Sequence, residues 1–232
     1  MILIWEIIAR VVSSRNILPD PWLTIRTLLG LISESSFYLS LGTTLLRGLL
    51  GFSIALILSF LIGIPSGLNR KVEAFVSPFI VTIRSTPVIS IILLAIIWLR
   101  IDHVPVFIGF LTMFPILTTS LSSGIKEVDK GLLDMAKIYR VKTWRIFSDI
   151  YLPTLYPFLF SGLLTAVGFG WRAVIIGEVL SQPRFGIGSM MQNAQSYLLV
   201  AELISWTLVA VLIGFVFEKT LTLIEKRVIV WK

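Results

Sequence analysis

Residues 126–162 form the longest strongly charged stretch of a chain that is otherwise mostly apolar, and this contrast restricts the fold more than any other feature. Lys126, Lys130, Lys137, Arg140, Lys142 and Arg145 outnumber Glu127, Asp129, Asp134 and Asp149. Apolar runs flank the block on both sides, so it reads as a cytoplasmic loop between membrane spans. It also carries helical periodicity. Leu132, Ala136 and Tyr139 fall at i, i+4 and i+7, and Trp144, Phe147 and Tyr151 fall at i, i+3 and i+7, again one helix face. Pro153 and Pro157 are expected to limit regular helix after them. The expectation is two amphipathic helices at the membrane surface, with a partner to dock against.

Composition supports the membrane reading. Apolar residues make up 56% and charged residues 14%, against averages of about 45–50% and 25% in soluble domains. The mean hydropathy is +0.93. The net charge of +7 fits a bias of Lys and Arg toward the inner side and needs no nucleic acid. With no cysteine and one histidine, His103, neither a thiolate site nor a multi-histidine metal site can be built. No Gly-rich loop ending in Gly-Lys-Ser/Thr occurs, and no Ser-His-acid set can be assembled. No catalytic, cofactor-binding or metal-binding residues are therefore expected.

Five spans are expected, at residues 41–68, 73–99, 104–124, 155–179 and 198–224. Each approaches the roughly 20 apolar residues that a bilayer demands. Pro78 and Pro87 are expected to kink the second. Residues 1–12 are apolar but short, read either as a sixth, short span or as an interfacial helix. Residues 22–32 follow as an amphipathic stretch at an outer surface. The organisation is then an N-terminal segment 1–40, a membrane domain 41–224 carrying the loop 126–151, and a charged tail 225–232. With Lys219, near the inner end of the last span, counted among them, twelve of the twenty Lys and Arg fall on the inner side of this arrangement and four on the outer. That places the loop and the C-terminus in the cytoplasm.

Arg84, Arg172 and Glu178 fall inside spans. Ionisable residues there usually face the bundle interior or a water-filled path, so all three are candidate pathway residues. Glu178 lies close to an outer edge, where the alternative role is to brace the outer glycine turn. It sits six residues from Arg172, about 9 Å along a helix, so the two do not form an intrahelical pair.

The charged block resembles the so-called EAA loop of the membrane subunits of binding-protein-dependent ABC importers. Asp134, Met135, Ala136, Arg140, Phe147 and Leu152-Pro153 carry that resemblance, with Met135 in place of an alanine and Arg140 in place of the usual glycine. If that glycine needs a positive φ, Arg140 bears a cost. Ser77-Pro78, Arg84-Ser85-Thr86-Pro87, Gly168-Phe169-Gly170-Trp171, Glu178 and Phe185-Gly186-Ile187-Gly188 are similar to the sulfonate, taurine and nitrate type.

The resemblance implies an all-α polytopic membrane protein with five or six transmembrane helices of the MetI-like ABC permease fold, in a bacterial or archaeal cytoplasmic membrane. It implies docking of cytoplasmic ATPase subunits on Asp134, Met135, Ala136, Lys137, Tyr139, Arg140, Phe147, Leu152 and Pro153. The further partners implied are an extracytoplasmic solute-binding protein, a second permease copy or paralogue, and membrane lipid; ATP would be bound by the partner subunit. An ion-coupled transporter or channel, and a membrane scaffold, are the alternatives, although no internal repeat of the kind common in secondary transporters is visible.

Overall fold

A computed structural model describes residues 2–12 and 17–228, and every regular element among them is helical. Residues 13–16 and 229–232, which the charge count and the expected tail include, lie outside the described residues. In chain order the helices are α1 (Ile2–Val12), α2 (Pro21–Ile32), α3 (Ser35–Leu68), α4 (Arg70–Ser85) and α5 (Val88–Trp98). Next come α6 (Val104–Lys126), α7 (Lys130–Ile138), α8 (Thr143–Ile146), α9 (Leu152–Ser181), α10 (Ile187–Ser196) and α11 (Val200–Val228).

Among the described residues four helical stretches are long and apolar enough to cross a membrane: Ser35–Leu68, Ile101–Lys126, Thr143–Ser181 and Val200–Val228. A fifth span forms if α4 and α5 are taken together, across a 97° bend. The bend lies at Thr86 and Pro87, both extended. Proline disfavours helix in the residue before it and donates no N–H, so the chain breaks there.

Three expectations change. At eleven residues α1 rises only about 16 Å, roughly half the hydrocarbon thickness, so the described residues contain no sixth span. Helix α11 runs on to Val228, past the expected end of the last span at residue 224. Glu225, Lys226 and Arg227 are good helix formers, and the two cations favour a helix C-terminus. Pro153 and Pro157 do not interrupt α9. Pro153 sits in its first turn, where a missing N–H costs nothing. Just before it, residues Phe147–Tyr151 widen into a π turn. Pro153 cannot donate to the Asp149 carbonyl, and the Thr154 hydroxyl donates to Ile150 O at 2.9 Å.

The core is α6 sandwiched between α3 and α9. On α3, Gly51, Ala55, Ser59 and Gly63 recur every fourth residue and are buried. Such a strip lets two backbones approach closely; a Cβ on Gly51 would come within 2.9 Å of Val106 O. Across the seam Thr118 Oγ1 donates to Ser59 Oγ at 3.1 Å, and Ser59 Oγ donates to Phe114 O at 3.2 Å. Met113, Leu117, Phe160 and Ala166 fill the space around it. A second cluster joins Phe37, Trp171, Ile187 and Trp206. There Trp206 stacks on Phe37 with centroids 5.1 Å apart, and the Trp171 indole donates to Ala210 O.

Candidate functional site

Three features stand out: a hydroxyl-lined cleft, a buried ionic cluster, and the exposed helix pair α7–α8. The cleft, of about 400 Å³, is walled by α4, α5, α6 and α9. Arg84 lines it with Thr86, Thr112, Thr119, Ser161 and Thr165, and Phe169 forms part of the wall. Arg84 is in the last turn of α4, so the α4–α5 break places both it and Thr86 at the cleft. Several of these threonines satisfy their own donors within the helix: Thr112, Thr119 and Thr165 donate to carbonyls four residues back. Their oxygen lone pairs remain able to accept.

Arg172 belongs elsewhere. It lines a separate cleft of about 490 Å³ between α9 and α11, together with Thr207, Gly214 and Glu218. Its guanidinium carbon lies 5.9 Å from the Phe169 ring centroid, within cation–π range.

Glu178 lines neither cleft. It is fully buried, near the end of α9, and three donor groups hold its carboxylate. Arg47 Nη1 donates to Oε1 at 2.8 Å, Thr44 Oγ1 lies 3.0 and 2.9 Å from the two oxygens, and Gly188 N–H donates to Oε2 at 3.0 Å. Arg47 also donates from Nη1 to Phe185 O at 2.7 Å and from Nη2 to Asp102 Oδ1 at 2.9 Å. The Thr44 hydroxyl accepts from Ile187 N–H at 2.8 Å. One cluster thus ties α3, α9, the 3₁₀ turn at Ile101–His103 and the loop leading into α10. The loop glycines make this possible: a Cβ on Gly186 would sit 2.6 Å from the Glu178 carboxyl carbon.

Thr44, Arg47 and Asp102 were not among the candidates drawn from sequence. The available signal was an arginine inside an apolar span with no partner in its own helix. Such a cation must find a carboxylate on another element, and Glu178 was already a candidate inside a span.

In the 126–151 segment, Asp129 caps α7 by accepting from Gly131 N–H at 2.6 Å. Arg140 then adopts φ +52°, the left-handed conformation that favours glycine. Val141 N–H donates to Ala136 O at 2.9 Å and Arg140 N–H to Lys137 O at 3.0 Å, the bond pair of a Schellman cap. The turn is therefore built with arginine at the position of positive φ. Asp134 and Lys137 pair with each other at 3.0 Å on the surface. Ala136 is buried at 2% exposure, whereas Leu132, Met135, Ile138, Tyr139 and Trp144 are exposed. Phe147, Leu152 and Pro153 are half-buried, and Phe147 stacks on Tyr151 where the segment enters α9. At the same end of the bundle Lys126 pairs with Glu73, joining α6 to α4.

These features define a polytopic, all-α membrane protein with an intramembrane polar cleft and a structured loop presenting apolar and basic groups. Residues 55–230 match the model of the "Binding-protein-dependent transport system inner membrane component" family, and the chain belongs to that family. It is a membrane permease subunit of an ABC-type transport system, with no catalytic role of its own. A protein of Escherichia coli (strain K12) provisionally described as an aliphatic sulfonates transport permease protein is 29% identical, over 100% of this chain and 88% of that protein. The taurine transport system permease protein of the same organism is 24% identical, over 98% and 84%. The bicarbonate transport system permease protein of Synechococcus elongatus (strain ATCC 33912 / PCC 7942 / FACHB-805) is 24% identical, over 77% and 65%.

Proposed function

We propose that this chain forms the translocation pathway of an importer for a small solute bearing an oxyanion, delivered by an extracytoplasmic binding protein. The observation that carries the solute class is the Arg84 cleft, in which one guanidinium stands among six hydroxyl-bearing side chains. A guanidinium pairs with carboxylate, sulfonate or bicarbonate oxygens through parallel N–H bonds. The solutes in the relatives' names, sulfonates, taurine and bicarbonate, share that chemistry.

The cleft is open along exposed Ser161, Thr165 and Phe169 of α9. Polar groups on a lipid-facing surface are disfavoured, so a second permease copy or a paralogue closes this face. Cytoplasmic ATPase subunits dock on the 126–151 segment, which sits on the side where Lys and Arg concentrate; the C-terminus is on that side too. The exposed apolar residues of α7 enter the ATPase groove, and Lys137, Arg140 and Lys142 meet acidic groups at its rim.

The test is purification from the native membrane in mild detergent, followed by reconstitution of the complex and uptake of labelled taurine, bicarbonate and an alkyl sulfonate. A copurifying ATPase and ATP-dependent uptake of one of these is expected. Arg84→Gln should lower that uptake about tenfold, the scale of one charge-assisted hydrogen bond. Arg172→Ala should also lower uptake with the complex intact, because it lines the adjoining cleft. A chain that purifies with no ATPase in several detergents overturns the importer reading.

A further inference from the structure

Asp102 is the exposed member of an otherwise buried ionic cluster. The Arg47 side chain is 9% exposed and that of Glu178 0%, but that of Asp102 is 61% exposed. Arg47 and Glu178 already neutralise each other, and Phe185 O takes a second guanidinium hydrogen bond. The burial of Arg47 therefore does not depend on Asp102. The third bond of the guanidinium has a different use, and its place in the fold indicates which.

Asp102 lies in the 3₁₀ turn Ile101–His103, between α5 and α6. The two helices are held very differently. Helix α6 is packed along its length between α3 and α9, with Ile108, Leu117 and Leu121 fully buried. Helix α5 buries only Ile92 and Ala95, and Val88, Ile89, Leu93, Leu94, Ile97 and Trp98 are exposed. At its start α5 is freed from α4 by the Thr86–Pro87 break. At its end it passes through extended Leu99 and Arg100 into the Asp102 turn. It is a short rigid rod with extended residues at both ends, the arrangement that lets a segment swing. It is also a wall of the Arg84 cleft, through Val88 and Ile91.

We propose that Asp102 is a positioning residue that latches the outer end of α5 to Arg47, and that release of this latch widens the outer end of the cleft. Arg47 is the fixed post, because its bonds to Glu178 and Phe185 anchor it to α9 and to the loop before α10. The Asp102 arm is the one that breaks, because its carboxylate is offered water at no desolvation cost, whereas Glu178 is not. The same post holds the loop at Phe185, so outer loop and cleft wall share one anchor. This inference rests on the importer reading for its meaning but not for its measurement.

The chain has no cysteine, so a pair introduced at Trp98 and Asn193, exposed residues at the end of α5 and on α10, can be spin-labelled cleanly. The distance distribution is measured on the complete complex in lipid nanodiscs, without ATP. Asp102→Asn is expected to raise the long-distance population roughly two- to fivefold, the scale of a partly exposed ion pair. Asp102→Glu should return it toward the parent distribution. An unchanged distribution in Asp102→Asn, or no recovery in Asp102→Glu, overturns the latch. ATP-driven uptake by the parent complex is scored separately. Its absence would sink the importer reading while the distance result still judges the latch.

Discussion

Arg47 and Glu178, 131 residues apart in the chain, meet in a buried ion pair with Nη1 and Oε1 2.8 Å apart. Their two helices enclose α6, so the pair closes one end of the core on both sides. Removing one partner from such a pair leaves a charge buried without compensation. Glu178→Ala should destabilise the protein by about 3 kcal/mol, the lower end of the range for breaking a buried pair, because Asp102 still neighbours Arg47. Asp102→Asn should cost less than about 1 kcal/mol. Thermal unfolding of the two detergent-purified variants checks the order; equal losses would remove the distinction between post and latch.

The loop docked on this pair has its own steric demand. A Cβ on Gly188 would clash with the Ile175 carbonyl and lie 2.7 Å from Glu178 Cβ, so a backbone group has to move. On Gly170 the three atoms nearest to a Cβ all belong to the Met113 side chain, Cγ and Sδ closer than Cε at 2.8 Å, and methionine adjusts readily. Gly188→Ala should therefore cost more than Gly170→Ala, about 2–3 kcal/mol against about 1. The yield of monodisperse protein and its unfolding temperature report the difference, and a reversed order would contradict the docked loop.

At the other end of the bundle Arg140 holds a left-handed conformation, which costs an L-residue with a Cβ roughly 1–2 kcal/mol. Arg140→Gly should relieve part of this and stabilise the α7–α8 corner by about 0.5–1 kcal/mol. Slower hydrogen exchange at the Val141 amide, which closes the cap, is the expected signature. If Arg140 also pairs with the ATPase, the same variant retains the ATPase less well. Faster exchange at Val141 would show that the turn does not carry the strain its φ implies.

The exposed and buried residues of α7 should separate docking from folding. Ile138 and Tyr139 are 79% and 76% exposed and Ala136 is 2%. Ile138→Asp and Tyr139→Asp should abolish copurification of the ATPase with the unfolding temperature unchanged. Ala136→Asp puts a carboxylate into an apolar contact and should lower both, by several degrees for the latter. Loss of stability in all three variants alike would count against a docking surface on this face.

Much of this architecture follows from local pattern alone. Hydropathy locates the long spans, Pro87 the break between α4 and α5, and Asp129 with the helical spacing after it the exposed helix α7. These depend on neighbours a few residues apart, which a sequence displays directly. Tertiary structure decided what lies beside what. Arg47 and Thr44 meet Glu178, Arg84 and Arg172 line different clefts, and Ala136 turns inward while Tyr139 does not. In a soluble helix a polar face would have pointed to such choices. Helix α3 is apolar on nearly every side because lipid and core both accept apolar groups, so hydropathy does not mark its packed face. Only the small residues at every fourth position do, and they identify a seam without naming the helix across it.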